Sequence, residues 1–438
     1  MWILLRESTI IKIDRINNLK NKIKKIFSNQ FVRNVSTLAA GSIISQAVVV
    51  GTSPILSRLF TAESFGMLSI FTSITVFFAV VSTGRYELAI GLPRDEKKAY
   101  SLLKLILVIG LIISSSYFIV IFCLKNIFLI NDSMGFLNNS TAYLAPFYIF
   151  LIAFYSGLGY ILQRQKKYKI ITIANAVQVI SASLGSIAFG FLNIKQGLIY
   201  SLILGMFFAI IFVLKHTPEV LKGGFDFKEI KQNAIDYIDF PRYMIFSDLS
   251  LTASQQFIPI LFSTLFSASI VGFYSMANRM IRLPNIVITS AVGNVFRNDA
   301  IEEIRLKGNC RTLYLSTLRK LIFISIPIYS LVFLFSPLLF TFFLGIQWKE
   351  SGIYARILSI MLMFEFVSTP LSTIFYIQNK QKLFAKIQFI NAFFGAVCIF
   401  LGNILMNSPI GSLCFYVANS VIFNLVLIYY SYKFSYDD

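Results

Sequence analysis

Charge is what this sequence is shortest of: 13% of its 438 residues are Asp, Glu, Lys or Arg, where a soluble globular domain carries about 25%. A chain this poor in charge, 56% apolar and with a mean hydropathy of +0.73, does not have water as its main solvent. Histidine is nearly missing, and the single His216 excludes a histidine-based metal site. The four cysteines (Cys123, Cys310, Cys398 and Cys414) stand far apart with no CxxC pair, so they read as packing residues. Neither HExxH nor GxSxG occurs. No catalytic residues, metal or other cofactor are therefore expected.

What is present is long apolar runs. Leu105 to Leu124 and Gly197 to Leu214 carry no charge and are long enough to cross a hydrocarbon core of about 30 Å. With charge clusters and Gly, Pro and Asn as boundaries, helices are expected near 34–58, 66–84, 103–124, 142–162, 170–192 and 196–214. Six more follow near 244–264, 272–296, 320–344, 353–377, 384–406 and 410–432. If the N-terminus is cytoplasmic, 32 of the 39 Lys/Arg fall in cytoplasmic segments, and Arg58, Lys125, Lys195, Arg279, Arg282, Lys349 and Arg356 remain. The positive-inside rule thus favours a multi-pass protein of a bacterial inner membrane with both termini cytoplasmic. The net charge of +19 is largely topological, and nucleic-acid binding is not expected.

Residues 1–33 hold eight Lys/Arg but no apolar core followed by a small-residue cleavage site, so no signal peptide is expected. Ile13, Ile16, Leu19, Ile23 and Ile26 recur at helical spacing, opposite Lys20, Lys22, Lys24 and Lys25. This segment reads either as a basic amphipathic helix on membrane lipids or as a solvated tail.

The two halves of the chain echo each other. Residues Leu59 to Ser69 (LFTAESFGMLS) align without gaps on Leu265 to Ser275 (LFSASIVGFYS). Both stretches join the first and second helices of a half. Gln163, Lys167 and Asn175-Ala176 likewise answer Gln378, Lys382 and Asn391-Ala392. Six helices is an even number, so the copies should be parallel and related by an axis along the membrane normal, a transporter architecture. The expected fold is an all-α integral membrane protein, its twelve transmembrane helices in two parallel six-helix lobes around a central cavity. The divisions are a 1–33 tail, a 34–214 lobe, a 215–243 linker containing Gly223 and Gly224, a 244–432 lobe and a 433–438 tail.

A charge near the bilayer centre costs at least about 2.5–3.5 kcal/mol, so it normally faces protein or a wet cavity. Arg279 and Arg282, spaced i, i+3, share a helix face with Asn278 and Asn285. Glu365 and Asp248 fall within helices ten and seven, and Gln46, Gln255 and Gln256 put amides at mid-depth in helices one and seven. Two readings of the arginines are open: a cationic patch for an anionic substrate, or an ion pair with Glu365 or Asp248. Glu365 and Asp248 are in turn candidates for ion coupling or for counter-charge. Arg58 and Arg85, at opposite ends of the first two helices, either join the substrate site or snorkel to an interface. Prolines 54, 259, 284, 327 and 370 permit kinks in the spans.

LSRLFTAESFG at Leu56 to Gly66, GRYELAIGLP at Gly84 to Pro93, and VGFYS at Val271 to Ser275 together resemble the Wzx-type polysaccharide flippases of the multidrug, oligosaccharidyl-lipid and polysaccharide exporter superfamily. The resemblance runs from about residue 30 onward. It implies alternating access and transfer of an undecaprenyl-pyrophosphate-linked oligosaccharide from the cytoplasmic to the periplasmic leaflet. Arg279 and Arg282 would then meet the pyrophosphate or acidic sugars, while a polysaccharide polymerase and a chain-length regulator are the implied partners. The rivals are a cation-coupled antiporter of the same superfamily and a membrane polymerase. The first should concentrate carboxylates in its cavity; the second needs a larger outer loop than Asn126 to Thr141, whose one ionisable group is Asp132.

Overall fold

The computed structural model describes residues 30–127, 140–221 and 226–436, with side chains from residue 41 on except 221, 247, 250, 251, 254, 255 and 290. The basic tail 1–29, Asp132, Gly223, Gly224 and the side chain of Gln255 lie outside the described residues.

The described residues are almost all helical, with no strand among them, because a backbone in hydrocarbon must bond to itself. In the first lobe, α1 is Gln30–Leu59, α2 Ala62–Ser82, α3 Glu96–Asn126, α4 Ala145–Arg164, α5 Tyr168–Phe191 and α6 Gly197–His216. A short helix α7 (Phe227–Asp236) lies in the linker. It starts where Asp226 accepts from the Lys228 and Glu229 amides and docks where Tyr86 Oη donates to the Ala234 carbonyl at 2.9 Å. The second lobe holds α8 (Ile245–Leu265), α9 (Ala268–Ile281), α10 (Ser290–Lys307), α11 (Arg311–Leu344), α12 (Lys349–Leu371), α13 (Gln381–Met406) and α14 (Pro409–Phe434).

Among the described residues, ten helices are long and apolar enough to cross a membrane. The two expected spans not among the ten are 244–264, which forms α8 with a shorter apolar stretch at Gln256–Leu265, and 272–296. The expected span 272–296 is split between α9 and α10 by a π-turn at Asn285–Thr289. Pro284, which has no N–H, immediately precedes that turn and interrupts the helical ladder. The span expected to reach 377 instead stops at Leu371, just after Pro370, and a single turn Ile374–Ile377 follows. Helices α3 and α11 run to 31 and 34 residues, longer than the core requires, because their charged first turns continue the helix beyond the apolar stretch.

The duplicated segment acquires a physical role in the tertiary structure. Thr61 and Ser267, aligned in sequence, cap α2 and α9 by accepting from the amides of Ser64 and Ile270 at 3.3 and 3.4 Å. One turn on, Gly66 of α2 and Gly272 of α9 let the two backbones cross. A Cβ at Gly66 would lie 1.7 Å from the Ala268 carbonyl oxygen, and a Cβ at Gly272 would lie 1.8 Å from that of Ala62. This is the small-xxx-small contact of membrane helices. Its reciprocity is the mark of two-fold-related surfaces.

Trp348, between α11 and α12, completes the same end of the bundle. Its Nε1 and the Nε2 of Gln347 donate to the Ser57 carbonyl at 2.9 and 3.1 Å, and Ser57 Oγ donates to the Leu344 carbonyl at 2.9 Å. The last-turn carbonyl of α1, which has no partner inside its own helix, is thus satisfied from the other lobe. Phe65 and Phe273 meet the buried Trp348 ring edge-on at 5.3 and 6.0 Å.

Arg356 is used locally. Pro337 cannot donate to the Phe333 carbonyl; Arg356 Nε does so instead at 2.9 Å, with Nη2 3.4 Å from the Leu334 carbonyl.

The glycine crossing makes a direct prediction. Gly66→Ala and Gly272→Ala should each force the lobes apart and lower thermal stability in detergent by about 1–3 kcal/mol. Unchanged melting in both variants would show that the backbones do not meet there.

Candidate functional site

A cavity of about 640 Å³ lies beside the lobe junction. Five helices of the second lobe (α8, α9, α12, α13 and α14) form most of its wall, and α2 contributes Ser69, Thr72 and Ser73. It begins just inside the glycine crossing and runs toward the opposite end of the bundle, where Ser372 and Phe384 line it. The volume suits a ligand of headgroup size, roughly 300–1,000 Å³ being usual.

The structure sorts the expected site residues. Gln256, Asn278, Arg279, Arg282 and Glu365 line the cavity. Arg282 and Glu365, 83 residues apart, form a two-pronged ion pair at 2.7 and 3.2 Å, and Arg282 Nε donates to Asn278 Oδ1 at 2.8 Å. The ion-pair reading therefore describes Arg282, whose fork is filled. Arg279 differs. Its one hydrogen bond runs 3.4 Å to the Val49 carbonyl of α1, its Nε has no hydrogen-bond partner, and no carboxylate pairs with it among the described residues. Removing one member of a buried pair costs about 3–5 kcal/mol, so an arginine with no counter-ion needs water or an anion beside it. Arg279 borders the space that can hold either.

The remaining candidates lie outside the cavity wall. Asn285 is buried, donates to the Leu362 carbonyl at 3.4 Å and accepts from Tyr329 Oη, tying the π-turn to α11 and α12. Gln46 is half-buried in α1 and Arg58 is exposed at its end. Arg85 and Asp248 meet each other at 2.7 Å. Here the chain leaves α2 through two successive left-handed residues, Gly84 and Arg85, both at φ 58°. Arg85 pays for that strain with two carboxylates, Asp248 of α8 and the buried Glu87 at 2.9 Å. Burial raises the Glu87 carboxyl above its ordinary value, and Arg85 opposes the rise. The cluster joins the two lobes at the end away from the glycine crossing.

Sequence reasoning overlooked several polar residues of the wall: Tyr274, Gln388, Asn391, Tyr416 and Asn424. The available signal was the same one that marked Gln256, an amide at mid-depth in an apolar helix. Asn391 entered the reading only as part of the internal echo.

A family model described as "Polysaccharide biosynthesis protein" matches residues 55–353. No curated protein matches the chain. Among solved structures, an inward-facing multidrug resistance MATE family transporter of the MOP superfamily aligns with a TM-score of 0.65 at 14% identity, over 88% of this chain and 93% of that one. The lipid II flippase MurJ in an inward closed conformation gives 0.64 at 15% identity, over 90% and 87%. A MOP superfamily transporter from Pyrococcus furiosus gives 0.58 at 15%, over 91% and 94%. At these identities the likeness is one of fold.

The Arg85 cluster is open to a pH test. Arg85→Ala should destabilise the protein at neutral pH, because it leaves Glu87 ionised and buried without a counter-charge. Folded Glu87 binds its proton more tightly than the unfolded chain does, so the deficit should shrink as pH falls through the raised value toward the ordinary 4.5. A loss in detergent melting temperature that stays constant across that range would separate Glu87 from the effect.

Proposed function

We propose that this chain, which belongs to the polysaccharide biosynthesis protein family, is a flippase for an undecaprenyl-pyrophosphate-linked oligosaccharide. It moves the glycan headgroup from the cytoplasmic to the periplasmic leaflet of a bacterial inner membrane by alternating access. One observation carries the reading: Arg279 sits on the wall of a headgroup-sized cavity with no carboxylate paired to it among the described residues. A guanidinium in that position holds a phosphate by paired hydrogen bonds. The charge asymmetry of the loops makes the cavity's far end cytoplasmic and the glycine crossing periplasmic, so the arrangement is loaded from inside. A long prenyl chain does not fit alongside a glycan in this volume and remains in the bilayer. The carried unit comes from lipid-linked glycan assembly and passes to a polysaccharide polymerase and its chain-length regulator.

A cation-coupled antiporter would need a carboxylate ready to take up its ion. Among the described residues, Glu365 is the one carboxylate on the cavity wall, and Arg282 occupies it.

In proteoliposomes containing a prenyl-pyrophosphate oligosaccharide, Arg279→Ala should lower the flipping rate by at least about tenfold while melting remains near that of the parent. Arg279→Lys should restore part of the rate, since it returns the charge without the planar fork. A full rate in Arg279→Ala removes this residue from substrate binding.

A further inference from the structure

The cavity wall has very little charge to offer. Among the described residues, Arg279, Arg282 and Glu365 are its only ionised side chains, and Glu365 cancels Arg282 at 2.7 Å. The net charge of the wall is therefore one positive. The rest of the polar surface consists of amides and hydroxyls, among them Gln256, Gln388, Asn391, Asn424, Ser368 and Thr369. Such groups match sugar hydroxyls and acetamides, and none of them neutralises a carboxylate.

A second observation, away from the cavity, points the same way. At the far end of α2 and α8, Arg85 faces two carboxylates, Glu87 and Asp248. That cluster is net negative when all three groups are ionised. Asp248 lies two helical turns along α8 from Gln256, where the wall begins. The cluster itself offers no surplus positive charge to an acidic headgroup.

Resting on the flippase reading above, we infer that Glu365 is a specificity-determining residue, which by neutralising Arg282 restricts the passenger to an oligosaccharide of uncharged sugars. The doubly anionic pyrophosphate takes up the one positive charge left on Arg279. A uronic acid or another acidic sugar would place a further negative charge beside the Glu365 carboxylate, with no cation to meet it. In a partly wet cavity of low dielectric, a like-charge approach of a few Å suppresses occupancy by about tenfold or more.

The test uses the full chain in proteoliposomes with two substrates on the same prenyl pyrophosphate. One carries an uncharged disaccharide; the other has a uronic acid in place of one hexose. The parent protein is expected to flip the uncharged substrate at least about tenfold faster. Glu365→Gln should narrow that ratio to about threefold or less by raising the acidic rate. Gln388→Lys should narrow it as well, since it adds a cation to the wall and leaves the ion pair intact; it also serves if Glu365→Gln fails to fold. Equal rates in the parent overturn the inference and leave the flippase standing. A ratio unmoved in both folded variants, or loss of both substrates in a folded Glu365→Gln, also overturns it. If the folded parent moves neither substrate, the flippase reading fails and takes this inference with it.

Discussion

A guanidinium group keeps its charge in a membrane, so each arginine within the spans has to be met by dipoles, by a carboxylate or by a wet space. That constraint organises this protein. Arg356 is met by the Phe333 and Leu334 carbonyls beside Pro337, Arg282 by Glu365 and Asn278, and Arg85 by Glu87 and Asp248. Arg279 alone among these four has a single long hydrogen bond to a carbonyl and a cavity beside it. The same residue type therefore repairs a helix kink, ties helices together and marks the ligand space, according to what stands within 3 Å of it.

The lobes close on each other through a backbone crossing flanked by Trp348 and Gln347 hydrogen bonds at one end, and through an ion cluster at the other. Gly66 and Gly272 admit the opposite carbonyls to a distance that any Cβ would forbid, and Trp348 fills the adjacent space against Phe65 and Phe273. Extending the internal alignment places Thr72 and Ser73 opposite Asn278 and Arg279, and all four line one cavity. The duplicated positions thus frame the same space, while only the second copy carries the charge. Duplication supplied the symmetry of the scaffold, and divergence placed the binding chemistry on one side.

That asymmetry bears on transport. A passenger held mainly by one lobe can remain attached while the other moves past it. The break between α9 and α10 falls directly after Arg282, so the helix bearing both arginines has its weakest hydrogen bonding next to the site. Pro284 and the π-turn make this the part of the wall best able to reshape around a ligand.

The helical class, the twelve crossings, the parallel duplication and the family resemblance were all legible in the sequence. Each depends on a local sum over successive residues: apolar content against a solvent of known thickness, cation counts per loop, or a repeated string. The split of the eighth crossing and the stop after Pro370 were less legible, since both prolines were visible but proline is also tolerated in continuous transmembrane helices. Which arginine would be free was not legible at all. Arg279 and Arg282 share a helix face and are equivalent by spacing. Glu365 reaches one of them and not the other because of how α12 is rotated against α9, a relation set by side-chain packing across 83 residues of intervening chain. The sequence by itself determined that charges would be submerged and on which helices. Only the tertiary structure decided which would be cancelled, because cancellation requires two side chains to come within about 3 Å, and no count along the chain contains that distance.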